Sequence, residues 1–340
     1  MSDFVLAPEK ISEAVRLLKE GELVAFPTET VYGLGADASN DAALAKLYHV
    51  KGRPTSHPVI VHIASQDQLT DWCSVVPPLA YKLAEKYWPG PMTLILPKAE
   101  HVSNSVTGGQ NSVGLRVPNH PVALELLREF GGGVAAPSAN RFGKLSPTTA
   151  AAVAEGLGTD VALVLDGGPS TVGIESTIIS LTGEPTVLRP GMLNIDELSE
   201  VLGVRPKTPY LAEAEQAGIE RAPGSLPSHY APETPVQLLN GSELVEKSLE
   251  LSAIGRPFAA MVFAETAEKL GQISELPKCE TLVCENDAET YARHLYDRLR
   301  KLDLFALDFI LVEEVPFDTN WDGVSDRLRR ASARNAVFGE

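Results

Sequence analysis

Residues 23–37 read LVAFPTETVYGLGAD, and this stretch decides the fold class. Leu23-Val24-Ala25-Phe26 is a short apolar run that predicts a buried strand. Pro27 ends it, and the chain continues with two hydroxyls (Thr28, Thr30), a carboxylate (Glu29) and a phenol (Tyr32) beside Gly33 and Gly35. A strand that opens into a polar, glycine-bearing loop sets hydrogen-bonding groups at the carboxyl end of a sheet. Open α/β sheets bind small ligands there. An ordinary surface turn would carry solvating residues rather than small hydroxyls against glycine.

Outward from this stretch, Pro8–Glu20 carries Ile11, Ala14, Val15 and Leu18 at helical spacing. Strand-like runs follow at Val59–Ile63, Thr93–Leu96, Val113–Val117, Val134–Ala136, Ala162–Leu165, Thr177–Leu181 and Thr186–Leu188. Helical patterns lie between them at Asp41–His49, Pro78–Tyr87, Pro121–Phe130, Thr148–Glu155 and Ile195–Leu202. Strands interleaved with helices predict an α/β domain on a mixed sheet. The short helix between Val113–Val117 and Val134–Ala136 predicts a parallel pairing. The first domain is thus expected at 1–205, a Pro/Gly/Ser-rich linker at 206–235, and a smaller α/β domain at 236–340. That last domain has a Rossmann-like alternation but no GxGxxG turn, so no dinucleotide is assigned to it.

At 340 residues, two domains are the default. No long apolar run or secretion signal opens the chain at MSDFVLAPEK, which predicts a cytoplasmic protein without a membrane anchor. Three cysteines (Cys73, Cys279, Cys284) without a CxxC read as reduced thiols, and Cys279, Cys284 and His294 lack metal-site spacing. The net charge of −16 argues against broad nucleic-acid binding, which draws on Lys and Arg. RNA contact is expected to be weak or local at most.

Chemistry concentrates in the first domain. Lys51-Gly52-Arg53 sets two cations about a glycine, with Arg53 able to grip phosphate bidentately and Lys51 acting as a point charge. Ser138-Ala139-Asn140 follows a strand, and Ser146-Pro147-Thr148-Thr149 opens a helix whose unbonded N–H groups favour an anion. Arg116 and Arg189 lie near strand ends, while Asp166–Pro169 and Gly173–Thr177 add a glycine turn and another hydroxyl-rich approach to a strand. Any one of these cations alone is more often a surface ion pair. Four beside Gly or Pro turns, with hydroxyls at strand ends, read as a polyanion site. No P-loop, GxSxG elbow or HExxH occurs. His62, in a strand near the cationic turn, reads as a core residue that can also touch substrate, and Trp88–Met92 reads as a structural turn.

FPTETVYGLGADA, KGRPTSHPVIVHI, WPGPMTLIL, VGLRVPNHP, AAPSANRFGKLSPT, DGGPSTVGIESTI and VLRPGM together closely resemble the YrdC family over roughly residues 5–205. SHYAPETP and the trailing unit ending DRLRRASA resemble the family's long, two-domain form. The resemblance implies a YrdC-like twisted mixed sheet with flanking helices, plus a Rossmann-like C-terminal domain. It implies a nucleotidyl transfer in which L-threonine, bicarbonate (or CO2) and ATP give L-threonylcarbamoyladenylate and diphosphate. Mg2+ is expected to ride on ATP, with no metal held by side chains. Downstream tRNA threonylcarbamoyltransferase machinery then modifies the adenosine 3′ of the anticodon in tRNAs reading codons that begin with A.

Residue by residue, the resemblance implies a catalytic set of Lys51, Arg53, Ser138 and Asn140. ATP contacts fall on Arg53, His57, Ser112, Ser138, Ser146, Arg189 and, from the linker, Tyr230; His57 stands where the family commonly has Asn. Threonine contacts fall on Thr30, His62, Arg116, the Ala136 backbone and Ser176, with Arg116 pairing the amino-acid carboxylate. His229-Tyr230-Ala231-Pro232 reads either as a lid over ATP or as a tether, and the resemblance favours the lid. Two other functions remain: an RNA-binding module, which composition disfavours, and a carbamoyltransferase, whose multi-cysteine finger three cysteines cannot supply.

Overall fold

A computed structural model describes residues 8–208, 221–223, 230–272 and 279–333. The chain divides into two compact units, Met1–Phe142 with Ser146–Ser225, and Gly143–Leu145 with Leu226–Glu340. The break after residue 225 falls inside the stretch read as a linker; His229 and much of 206–235 lie outside the described residues.

The first unit is built on a nine-stranded mixed sheet. Its strands are β1 (Val24–Phe26), β2 (Gly33–Asp37), β3 (Ile60–His62), β4 (Met92–Pro97), β5 (Ser112–Arg116), β6 (Val134–Ala135), β7 (Leu163–Val164), β8 (Thr177–Ser180) and β9 (Thr186–Arg189). Their order is β7-β1-β2-β6-β3-β5-β4-β8-β9. The helix Pro8–Lys19 buries Ile11, Ala14, Val15 and Leu18 against Val122, Ala123, Leu126 and Leu127 of the helix Pro121–Phe130. Each of the Ile, Val and Leu side chains contributes about 1.5–3 kcal/mol on burial.

Register assigns the two faces of the central strands. Ile60 pairs with Gly114 and His62 with Arg116 across β3 and β5; Ile95 opposes Gly114 across β4 and β5, which sets Thr93 beside Arg116. Side chains alternate along a strand. One face therefore carries Val61, Leu94, Leu96, Val113, Leu115 and Ile179, all in the main core cluster. The other carries Ile60, His62, Thr93, Ile95, Ser112, Gly114, Arg116 and Ile178. Polar groups of the sequence motifs thus gather on one side of the sheet by period-2 geometry alone.

Four expectations need correction. Gly33–Asp37 is a strand, not loop, and its glycines provide room: a Cβ on Gly35 would lie 2.9 Å from both Phe26 and Val134 side-chain carbons. The helix after it runs Asp41–Lys51, so Lys51 is its last residue, and Gly52 closes it in the left-handed conformation at φ 62°. Val113–Val117 and Val134–Ala136 are not partners; β3 lies between β5 and β6, and the parallel pairs are β1–β7, β3–β5 and β4–β8. The helix read at Thr148–Glu155 spans Ala150–Leu157, and the Thr149 hydroxyl caps its N-terminus at Ala152 N.

The second unit holds a parallel sheet in the order β10 (Val236–Leu239), β13 (Phe309–Glu313), β11 (Phe258–Phe263), β12 (Cys279–Cys284). Leu244, Leu251, Phe258, Ala260, Val262, Leu270 and Leu311 form one core cluster within it. At the carboxyl edge, Glu313 accepts hydrogen bonds from Phe263 N at 2.7 Å and the Thr266 hydroxyl at 2.8 Å. It thereby ties the start of the helix Ala264–Gly271 to β13. A Cβ on Gly241 would meet the same carboxylate at 2.7 Å. The three cysteines are free thiols, Cys73 and Cys284 buried. Among the described residues, no helix is long and apolar enough to cross a membrane.

Candidate active site

The 27–32 loop is buried and stitched into place by its neighbours. Tyr32 N donates to Pro147 O and Ala139 N to Tyr32 O, while Val172 N and Gly173 N donate to Glu29 O and Thr30 O. Ser170 Oγ donates to Thr28 O. The Tyr32 hydroxyl donates to Gly168 O at 2.7 Å, and burial pushes its pKa far above the ordinary range. Gly167 makes this approach feasible, since a Cβ there would lie 2.5 Å from the His120 ring and 2.6 Å from Pro27. Segments about 27–32, 137–140, 147–148 and 166–173 thereby converge beside β3 and β5.

Within this frame the cationic turn wraps backbone oxygens. Lys51 Nζ donates to Ser138 O and, at 2.6 Å, to Asn140 O. Asn140 N donates to Ser138 O, and Asn140 Nδ2 to Arg141 O, so the 138–141 backbone curls about the ammonium. Arg53 Nη2 donates to Pro58 O at 2.7 Å. Burial pulls the Lys51 pKa well below 10.5, and the nearby Arg53 charge pulls the same way, with Glu175 opposing. His57, edge-on to Phe142 at 5.8 Å, is lowered by burial, then by Arg53 and Arg221.

A polyphosphate anion reverses the repulsion that Arg53 exerts on both groups. Its binding is therefore expected to take up protons in the pH range where these groups titrate, read as buffer-dependent heats in titration calorimetry repeated across pH. Lys51→Met should remove most of that dependence, and equal heats in every buffer would contradict it. Without ligand the sign is opposite for stability. The unfolded chain holds the Lys51 proton up to about 10.4, the folded chain releases it lower, and stability rises with pH between the two.

The second half of the site surrounds Arg116. Its Nη2 lies 2.7 Å from Glu29 Oε1, an ion pair in which both side chains are about 5% exposed or less. Arg116 Nε donates to Gly90 O, and Glu29 Oε2 accepts from Asn119 N at 3.0 Å. The Trp88–Met92 turn, read as structural, thus holds the guanidinium of a site residue. His62 is buried beside it. Its pKa is driven well below 6.5 by desolvation and the Arg116 charge, and Nδ1 has no hydrogen-bond partner among the described residues. Thr28 donates to Val31 O at 2.6 Å, so the 2.9 Å contact between Thr28 and Thr30 hydroxyls has Thr30 as donor. The Thr30 oxygen is left as an acceptor. Ala136 N donates to Ile60 O, which leaves its carbonyl as the backbone group it can offer.

Arg189 joins the two halves. Its Nε and Nη2 donate to Ser176 O at 3.1 and 3.0 Å, Nη2 also to Ser176 Oγ at 3.1 Å, and Nη1 to Pro223 O at 2.9 Å. Ser176 Oγ lies 2.8 Å from Thr93 Oγ1. Ser146, expected against ATP, donates its hydroxyl to Glu175 Oε1 at 2.6 Å. In this arrangement Ser146 Oγ offers only lone pairs. Ser112 begins β5 on the same face, buried.

The structure therefore brings Thr30, Lys51, Arg53, His57, His62, Ser112, Arg116, Ala136, Ser138, Asn140, Ser146, Ser176 and Arg189 into one connected region of the first unit. Tyr230 belongs to the second unit, where its buried ring packs on Tyr296 at 5.9 Å and on the Arg327 guanidinium at 5.3 Å. Sequence reading assigned no role to Glu29, Thr93 or Glu175. Their partners lie 87, 83 and 29 positions away along the chain, so only strand register and loop packing reveal them. A separate cavity of about 330 Å3, lined by Asp71, Trp72, His101 and Gly131–Gly133, contains none of these residues.

Four buried cations (Lys51, Arg53, Arg116, Arg189) face two buried carboxylates, Glu29 and Glu175, in this region. Low-dielectric surroundings magnify that excess of positive charge, which suits a multiply charged anion. Among the described residues, no group of three or more His, Cys, Asp or Glu converges as a metal site.

Comparison with known proteins agrees with this architecture. Residues 16–191 match the Sua5_yciO_yrdC family model, described as telomere recombination, and residues 193–333 match Sua5_C, the threonylcarbamoyl-AMP synthase C-terminal domain. The chain is 40% identical over 334 residues to the threonylcarbamoyl-AMP synthase of Bacillus subtilis, spanning 96% of this chain and 94% of that protein. It is also 40% identical over 332 residues to the threonylcarbamoyl-AMP synthase of Pyrococcus abyssi, with 96% and 95% covered. The crystal structure of P. abyssi Sua5 complexed with L-threonine matches with a TM-score of 0.87 at 36% identity, over 96% of this chain and 95% of that one. With both domains matched in sequence and in fold, the chain belongs to the Sua5/YciO/YrdC family, in the form that carries the Sua5 C-terminal domain.

Proposed function

We propose that this chain joins L-threonine, bicarbonate or CO2, and ATP into L-threonylcarbamoyladenylate and diphosphate, for threonylcarbamoyl modification of tRNA. The names of its relatives support the reaction, and one observation carries the reading of the site. Four buried cations stand on a face that also presents an acceptor hydroxyl (Thr30), a depressed histidine (His62) and a second hydroxyl (Ser176). Such a face suits an amino acid beside a polyphosphate.

The carbamate of threonine is a weak and short-lived nucleophile, so alignment with the α-phosphorus is the principal requirement. A carbamate oxygen bonds to that phosphorus while the bond to the bridging oxygen breaks, and diphosphate carries the charge away. Lys51 and Arg53 answer the charge on the leaving group, in a pocket where fixed donors need no reorganisation. Ser138 and Asn140 shape the reacting centre by the carbonyls that fix Lys51. Arg116 and Ser176 take the amino-acid carboxylate; Thr30, His62 and the Ala136 carbonyl take its polar groups. Arg189, Ser112, His57 and Ser146 are assigned to ATP. Glu29 already engages Arg116, and Glu175 the Ser146 hydroxyl, so Mg2+ arrives as the companion of ATP rather than as a resident ion. By class the enzyme is a nucleotidyltransferase. Its setting is the cytoplasm, where a tRNA threonylcarbamoyltransferase consumes the adenylate.

The full chain with L-threonine, bicarbonate and Mg·ATP is expected to release diphosphate, and to stop when threonine is left out. Release at the same rate without threonine would overturn the proposal.

A further inference from the structure

Thr93 and Ser176 face each other in the core of the site, both fully buried, with their hydroxyl oxygens 2.8 Å apart. Either can be the donor. Among the described residues, the Thr93 hydroxyl has Ser176 as its single side-chain partner, while Ser176 Oγ also accepts from Arg189 at 3.1 Å. Two hydroxyl hydrogens therefore share one mutual bond, and one hydrogen goes unmet in the protein alone. If Ser176 donates to Thr93, the unmet hydrogen sits on Thr93. If Thr93 donates, Ser176 accepts from two sides and its own hydrogen is turned outward. An unmet buried donor is costly, so a ligand that supplies an acceptor selects the second arrangement.

We infer that Thr93 is a positioning residue: by donating to Ser176 it commits that hydroxyl to act as a donor, which makes the site select an amino acid with an ionised carboxylate. The inference rests on Ser176 contacting threonine, as proposed above. It goes beyond that reading in naming a residue that touches no ligand and a substrate feature, the free carboxylate, that it enforces. Register makes the role available, because the Leu94–Leu115 pair places the preceding Thr93 on the site face beside Arg116, the other group assigned to the carboxylate. Thr30 has the opposite polarity: its hydrogen goes to Thr28, so it accepts. The two hydroxyls thus read opposite ends of one amino acid, Ser176 the anion and Thr30 a donor.

The test is L-threonine titration of the full chain by calorimetry, with Thr93→Val, Thr93→Ser, Ser176→Ala and the Thr93→Val/Ser176→Ala pair. Thr93→Val should weaken threonine about five- to tenfold, within the range of one ordinary hydrogen bond, and leave ATP binding unchanged. Thr93→Ser should bind as the parent. Thr93→Ala, which cannot crowd Arg116, should lose as much as Thr93→Val. In the Ser176→Ala background, Thr93→Val should cost nothing further, because its effect passes through Ser176. L-Threoninamide, which lacks the anion, should bind worse than threonine to the parent, with the gap narrowed in Thr93→Val. Unchanged threonine affinity in Thr93→Val and Thr93→Ala would overturn the inference, as would an equal loss in the presence and absence of Ser176. Ser176→Ala binding threonine as the parent would instead remove the underlying contact, and the inference with it.

Discussion

Alanine at Lys51 or Arg53 is expected to lower threonine-dependent diphosphate release by about two to three orders of magnitude, the loss typical when one preorganised charge-stabilising donor is removed. Both side chains are buried and both already hold backbone carbonyls, at Ser138 and Asn140 for Lys51 and at Pro58 for Arg53. Each alanine therefore also releases the carbonyls its side chain held. That costs stability of about 1–3 kcal/mol per unsatisfied group, twice over for Lys51, which is a large part of a typical domain's roughly 5–15 kcal/mol. Turnover by pyrophosphate assay and melting by circular dichroism separate the two effects. A variant that melts near the parent yet turns over normally would remove the cationic turn from the chemistry.

Arg116 is expected to give the second large effect, and it is a double one. Arg116→Met leaves the Glu29 carboxylate buried without its ion-pair partner, and breaking a buried pair from one side costs about 3–5 kcal/mol. Threonine binding should also fall by about two orders of magnitude, because a guanidinium–carboxylate contact is lost. Adding Glu29→Gln removes the stranded charge, so the double variant should recover most of the stability and none of the affinity. Denaturant titration beside threonine calorimetry reads the two quantities independently. Equal stability of Arg116→Met and the parent would show that the pair is not held as the structure has it. Recovered affinity in the double variant would take Arg116 out of the threonine subsite.

Local pattern carried much of this site. Small hydroxyls beside glycine, cations beside turns and apolar runs before them marked Thr30, Lys51, Arg53, Arg116, Ser138 and Arg189 before any coordinate. Helices with clear 3.6-residue spacing, such as Pro121–Phe130, match the expected boundaries. Gly33–Asp37 was illegible as a strand because GLGAD has no β-branched residue; neighbours on both sides hold it, and its glycines serve close packing against Phe26 and Val134. Lys51 was read in a turn because Gly52 follows it, whereas the glycine is the left-handed cap that lets the helix run through Lys51. Thr93 carried no local signal, and Glu29 stood out as a carboxylate in the opening stretch without any sign of its partner. A buried carboxylate is defined by the arginine that meets it, and a proton-orienting hydroxyl by the serine across the sheet.

Glu313 has a bearing on how the second unit is maintained. It sits at the carboxyl edge of a parallel sheet, where such folds commonly bind ligands, and ties down a helix start, with the Gly241 backbone packed close against it. That single carboxylate ties the last strand to the start of the helix that follows its neighbour, so the carboxyl edge of this sheet is held from within the chain.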